Sequence, residues 1–180
     1  VAGPTAPRES GSPMAHASTR KPRAEEMRRK QQAAESDNDR GRGSFADLGL
    51  PSVLVDALAA DGIITPFPIQ TATIPDALAG HDLLGRGQTG SGKTLAFALP
   101  LITHLMQGKR VGKAPRAVVL SPTRELAMQI ADVIMPLAKK AGLFSVLVAG
   151  GMSYTPQLKA LDRGVDIIVA TPGRLIDLTE

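Results

Sequence analysis

The sequence predicts an α/β fold, a parallel sheet with helices on both faces, and three observations carry that expectation. Short apolar runs recur at 82–84, 117–120, 145–148 and 166–170. Longer segments with helical spacing lie between them, at 93–106, 124–141 and 156–163. The first run leads into a glycine-rich loop, Gly85-Arg-Gly87-Gln-Thr-Gly90-Ser-Gly92-Lys93-Thr94. Short buried strands alternating with longer helices are the pattern of βαβ units. In such sheets, ligands bind at the carboxyl ends of the strands.

Taken in order, residues 1–43 stand apart from the rest. They hold nine basic and six acidic side chains, which accounts for +3 of the chain's net +4. They contain no Ile, Leu, Phe, Tyr or Trp. Such a segment buries too little surface to offset the entropy of ordering it, so a disordered basic tail is predicted, with a transient helix over 24–35. It reads equally as a salt-sensitive arm for nucleic acid and as a solvated tether. From Ser44 to Glu180 the pattern is that of a partial domain. A stripe of Val53, Leu54, Ala57 and Leu58 predicts a helix over 51–60 that stops at Gly62. A second helix is predicted over 68–79, kinked at Pro75 and closed by Gly80. The strands and helices named above follow.

Composition excludes several chemistries. The chain has 180 residues and no Cys, which removes disulfides, thiolate metal sites and a cysteine nucleophile together. His16, His81 and His104 have no ligand-type spacing. The run from Leu95 to Met106 is broken by Pro100 and His104 and is too short for a bilayer. With no leader segment either, a cytoplasmic protein is expected. Residue 1 is Val, and the sequence reads as a piece of a longer protein. Met128, Met135 and Met152 read as core filler.

The glycine-rich loop satisfies two phosphate patterns at once. Gly85, Gly87 and Gly90 match GxGxxG, whereas Gly87, Gly92, Lys93 and Thr94 match GxxxxGK[ST]. A dinucleotide site wants an acidic residue about twenty positions on, but no Asp or Glu occurs between Asp82 and Glu125. The P-loop wants backbone N–H groups around the phosphates, a lysine for their charge and a hydroxyl for Mg²⁺ at a helix start. Gln88, Thr89, Gly90, Ser91 and Gly92 form that wrap, Lys93 is the point charge and Thr94 the hydroxyl. A P-loop NTPase is therefore predicted, with Mg²⁺ and a nucleoside triphosphate as its cofactors; the loop alone leaves the base open, and ATP is what the resemblance described next implies.

The flanking residues narrow this further. Phe45 and, seventeen positions on, Gly62-Ile-Ile-Thr-Pro66-Phe67-Pro68-Ile69-Gln70 resemble the adenine-recognition motif of DEAD-box RNA helicases. The resemblance continues through Gly87–Thr94, Ser121-Pro-Thr-Arg-Glu-Leu126, Gly150-Gly151 with Gln157, and Thr171-Pro-Gly-Arg174. It covers about 45–180 in the family's order. It implies a RecA-like sheet, Gln70 and Thr65 at the nucleotide, and Phe45 stacked on the base. By itself, Phe45 reads as a core or staple residue. Gln70 carries a donor and an acceptor on one amide, the complement of an adenine edge. The resemblance also implies that Pro122, Thr123, Arg124, Gly150, Gly151, Thr171, Pro172, Gly173 and Arg174 grip an RNA backbone. As residues alone, Arg124 and Arg174 suit a surface salt bridge as well as a phosphate. Five aromatics, Phe45, Phe67, Phe97, Phe144 and Tyr154, are too few for a base-stacking platform, so little sequence preference is expected. Gly87 stands where the family usually has Ala, Ile63 replaces an aromatic and Phe67 a hydroxyl residue.

The Asp-Glu-Ala-Asp segment that names the family does not occur in the chain, and neither does a second RecA-like domain. The sheet is accordingly expected to be incomplete at its C-terminal edge. An ATP-dependent RNA helicase is expected of the parent protein, while residues 1–180 alone should bind nucleotide and RNA without efficient hydrolysis. Two other readings remain open at this point: a nucleotide- and RNA-binding module without helicase activity, and a DNA-directed P-loop ATPase.

Overall fold

A computed structural model describes residues 43–179. The tail, its transient helix and Glu180 lie outside the described residues. After a short 3₁₀ turn at Ala46–Leu48 come helices α1 (Ser52–Ala60), α2 (Pro68–Leu78) and α3 (Lys93–Met106). Strand β1 (Ala117–Leu120), helix α4 (Arg124–Lys140), strand β2 (Ser145–Val148) and helix α5 (Tyr154–Arg163) follow. The chain ends in β3 (Ile167–Ala170) and α6 (Pro172–Asp177).

The three strands form one parallel sheet in the order β1-β3-β2. Leu120, Ala170 and Val148 lie side by side in register at its carboxyl edge. The central strand β3 is buried along its whole length, because helices cover both faces. Alternate residues serve alternate layers, as a period of two requires. Ile167 and Val169 join the main core with Leu54, Leu99, Ile102, Ile130 and Ile134. Ile168 and Ala170 join Val146 and Val148 in a second core against α5 and α6. Helix α4 is held at its start by the Thr123 hydroxyl, which accepts from Leu126 N–H at 3.2 Å. Glu125 in its first turn and Lys139 and Lys140 in its last complement the helix dipole.

Two expectations fail. No strand forms at 82–84, where the backbone is irregular and Leu84 is 91% exposed. A strand needs a neighbour for its backbone groups, and no strand lies beside this segment among the described residues. Met128 and Met135 are exposed rather than core filler; they fall on the outer face of α4. Helix α2 carries Pro75 inside it and runs to Leu78, one residue short of the expected end.

Candidate nucleotide and nucleic-acid site

The loop from Gly85 to Gly92 is solvent-exposed up to Gly90 and half-buried at Ser91 and Gly92. It reaches α3 through Gly92, whose φ of 81° only glycine adopts readily. Lys93 then opens the helix and turns back into the loop. Its ammonium donates to the Gly87 carbonyl, to Gln88 O at 2.7 Å and to Ser91 Oγ at 3.5 Å. The lysine thus sits in the ring of loop residues that the motif reserves for phosphate. Thr94 follows, half-buried in the first turn of a 14-residue helix whose N-terminal N–H groups favour an anion.

The loop is a tight cradle. A Cβ at Gly92 would lie 2.4 Å from Gln70 Nε2 and 2.6 Å from Phe67 Cδ2. At Gly87, where the family usually carries Ala, a Cβ would lie 2.6 Å from Ser91 Oγ. A small hydroxyl rotation accommodates the second clash; the first meets the buried amide of Gln70. The Gly cradle, Lys93 and the helix start fit the triphosphate of ATP, and Thr94 would offer its hydroxyl to Mg²⁺.

Gln70 is 1% exposed. Its Oε1 accepts from Phe67 N–H at 2.8 Å, closing the first turn of α2, and its Nε2 donates to Gly92 O at 3.0 Å. The structure therefore brings Gln70 to the phosphate loop, with its amide engaged on both sides rather than open to a base. Thr65 is half-buried on the same approach to α2. Phe45 requires a correction. It is 1% exposed and packs in the main core, so its ring presents no free face for stacking. Burial of an aromatic ring wins over exposure here because the main core takes its apolar surface out of water.

The register of the sheet gathers the remaining residues. The segments after Leu120, Val148 and Ala170 leave one edge together and are tied to each other. Arg124 Nη1 donates to Gly151 O at 3.2 Å, and Gly150 N–H donates to Thr171 Oγ1 at 3.4 Å. Arg174 Nη1 donates to Met152 O at 3.0 Å and to Gln157 Oε1 at 3.3 Å. Pro122, Thr123, Arg124, Gly151, Pro172 and Gly173 are exposed. Gly151 has φ 70°, and a Cβ there would lie 2.7 Å from Arg124 Nη1. Together the loops present an exposed fork, glycine backbone and a threonine hydroxyl along one rim, a donor set suited to phosphate oxygens. Arg174 is the exception, since its side chain is only 9% exposed.

At the opposite ends of the strands lies a network that sequence reading missed. Asp166, buried at the foot of β3, accepts from Arg116 Nε at 3.0 Å and from Phe144 N–H at 2.9 Å. Arg116 Nη2 lies 2.9 Å from its Oδ1, and Arg110 Nη1 lies 3.6 Å from its Oδ2. One carboxylate thus joins the segments that lead into all three strands. An acid inside the apolar run 165–170 was the available signal, because a buried charge needs partners.

The chain resembles known proteins in both sequence and fold. Residues 67–180 match the family described as DEAD/DEAH box helicase. The chain is 51% identical over 140 residues to the maize DEAD-box ATP-dependent RNA helicase 3A, chloroplastic, covering 75% of this chain and 18% of that protein. It is 47% identical over 135 residues to the ATP-dependent RNA helicase DeaD of Haemophilus influenzae, covering 74% of this chain and 22% of that one. The crystal structure of the RNA helicase Prp28 from Chaetomium thermophilum bound to ADP superposes with a TM-score of 0.71 at 36% identity. That match covers 91% of this chain and 42% of the other. The chain spans about a fifth of the length of the curated relatives named here.

Proposed function

We propose, from the premise that this chain belongs to the DEAD/DEAH box helicase family, that the full-length protein is an ATP-dependent RNA helicase. It couples RNA-stimulated ATP hydrolysis to local separation of short duplexes. The chain supplies most of the first RecA-like domain, with the phosphate loop and one RNA-facing rim. The observation that carries this reading is the joining of three strand-end loops by Arg124, Thr171 and Arg174 at one edge of the sheet. Gly150, Gly151, Thr171, Pro172 and Gly173 then meet the sugar-phosphate backbone, with Pro122 and Thr123 setting the start of α4 and Arg124 adding a charged fork. That surface reads backbone rather than base edges, so little sequence preference follows.

On the nucleotide side, Lys93 leaves the Gly87 and Gln88 carbonyls and takes the phosphate charge, while the loop N–H groups wrap the oxygens. Thr94 offers its hydroxyl to Mg²⁺, which when bound neutralises developing charge on the phosphates. Gln70, fixed against Gly92, links occupancy of the phosphate loop to the adenine side, where Thr65 also lies. Residues 1–180 alone bind nucleotide and RNA without efficient turnover, since the sequence holds no acidic pair of the family's kind. We place the protein in the cytoplasm; among the described residues, no helix is long and apolar enough to cross a membrane.

The test is ATP hydrolysis by the full-length protein with RNA, with DNA of the same sequence, and with neither. RNA stimulation that Lys93→Ala abolishes is the expected result. Equal stimulation by DNA would select a DNA-directed ATPase instead, and nucleotide binding with no turnover under any condition would select a binding module.

A further inference from the structure

Arg174 differs from the other residues of the rim in how completely it is used inside the protein. Its guanidinium carbon lies 3.9 Å from the centroid of the Tyr154 ring. Its Nη1 serves Met152 O and Gln157 Oε1. Its Nε is buried, makes no hydrogen bond and lies 3.8 Å from Asp177 Oδ2. The Tyr154 hydroxyl donates to that same carboxylate oxygen at 3.3 Å. A bidentate grip on phosphate needs two free donors on one edge of the fork. Each edge of this guanidinium includes Nε or Nη1; Nη1 is committed to Met152 and Gln157, and Nε is buried out of reach of an arriving ligand, with a carboxylate alongside. An arriving phosphate would also meet the charge of Asp177.

We infer that Tyr154 and Arg174 form a positioning pair that fixes the 150–153 loop against α6, and that Arg174 makes no direct contact with RNA. The inference rests on the RNA-binding reading of the rim. Tyr154 covers the face of the guanidinium, which removes water from it and strengthens its bonds to Met152 and Gln157. Gln157, itself buried, passes the constraint on by donating to Ala149 O at 3.4 Å. The backbone of Gly150 and Gly151 is thereby held at the height of Thr171 and Arg124. Phosphate is met by those groups, in an arrangement that Arg174 sets from behind.

Binding of a short polyuridine strand to the full-length protein, with a non-hydrolysable ATP analogue and across a salt series, separates the roles. Tyr154→Ala and Arg174→Gln should each weaken RNA by a similar factor, roughly three- to tenfold. The double variant should be no weaker than the worse single one, because both act through one unit. Tyr154→Phe keeps the stack and should bind close to wild type. A direct phosphate contact gives a different pattern: Tyr154→Ala unchanged, and Arg174→Gln alone lowering the salt slope by about 0.7. That pattern would overturn the inference. Hydrogen exchange of the 150–153 amides without RNA gives an independent readout. It should quicken in Tyr154→Ala and Arg174→Gln but not in Tyr154→Phe, and Arg174→Lys should behave like Arg174→Gln should the latter fail to fold. Unaltered exchange in those variants overturns the pair whatever RNA does. Exchange that responds as expected in a protein that binds no RNA upholds the pair and refutes the RNA reading alone.

Discussion

Replacing Gly92 by Ala tests how the phosphate loop is locked to the start of α2. Two costs can be worked from the structure. A residue with a Cβ held at φ 81° carries about 1–2 kcal/mol of backbone strain. The new methyl would also stand 2.4 Å from Gln70 Nε2 and 2.6 Å from Phe67 Cδ2. Gln70 is 1% exposed, so it cannot swing into solvent without giving up both its bonds, at 2.8 and 3.0 Å. Each such bond is worth about 1 kcal/mol net, and more where a buried partner is stranded. The total is about 3–4 kcal/mol, enough for a fall in Tm on the order of 10 °C. Thermal unfolding of Gly92→Ala, Gln70→Ala and the double variant provides the assay. Truncating Gln70 removes the closest clash, so the double variant should be more stable than the sum of the singles by about 1–2 kcal/mol. Additivity within about 0.5 kcal/mol would refute the packing argument.

Two further outcomes follow from the foot of the sheet. Asp166→Ala leaves Arg116 and Arg110, 18% and 20% exposed, without their carboxylate, and should cost about 3–5 kcal/mol in denaturant titration; a loss under 1 kcal/mol would show that the network is ornamental to the fold. The Lys113 ammonium, 2.7 Å from Asp162, holds that carboxyl below its ordinary value by hydrogen bond and by charge. A depressed folded value means stabilisation that is present above the unfolded pKa and lost as pH falls through the folded one. Acid should therefore weaken wild type slightly more than Asp162→Asn at low salt, and parallel Tm-against-pH curves would remove the pair from the stability account.

Most elements were legible because their signals are local. Helix α3 begins and ends where the spacing put it, and β1 and β2 match their apolar runs, since burial between covering helices is what such runs encode. Helix α5 starts at Tyr154 rather than 156 because Pro156 is tolerated in the first turn, whose backbone N–H groups have no intrahelical hydrogen bond to lose. Phe45 and Leu84 show what local signals omit. Whether an aromatic stacks on a ligand or fills a core depends on neighbours distant in sequence. Whether Asp82-Leu-Leu84 becomes a strand depends on a partner edge. Among the site residues, the P-loop was readable because its spacing is itself the geometry. The tie between Gln70 and Gly92 was not, because twenty-two positions separate the two. Tyr154 read only as a scarce aromatic, and nothing in its local context pointed to Arg174.

The missing strand bears on how the phosphate loop is held. In a sheet of this kind, a strand normally fixes the N-terminal side of the loop and a helix the C-terminal side. Here only the helix does so. Helix α3 is anchored through Leu95, Leu99 and Ile102 in the main core, and His104 Nε2 lies 2.9 Å from Ala77 O at the end of α2. On the other side, residues 81–88 are irregular and exposed. Beside them in sequence, α3 turns Phe97 and Leu101 toward the outer edge of β1. With Val118, Val119, Leu120 and Ile130 they line an open apolar cleft of about 420 Å³. The chemistry of the phosphate loop and this open apolar cleft thus flank the same helix. Lys93, resting on the Gly87 and Gln88 carbonyls, is what ties the free side of the loop to α3. A phosphate that draws Lys93 away must replace those contacts with its own, and so takes over the ordering of residues 87–92.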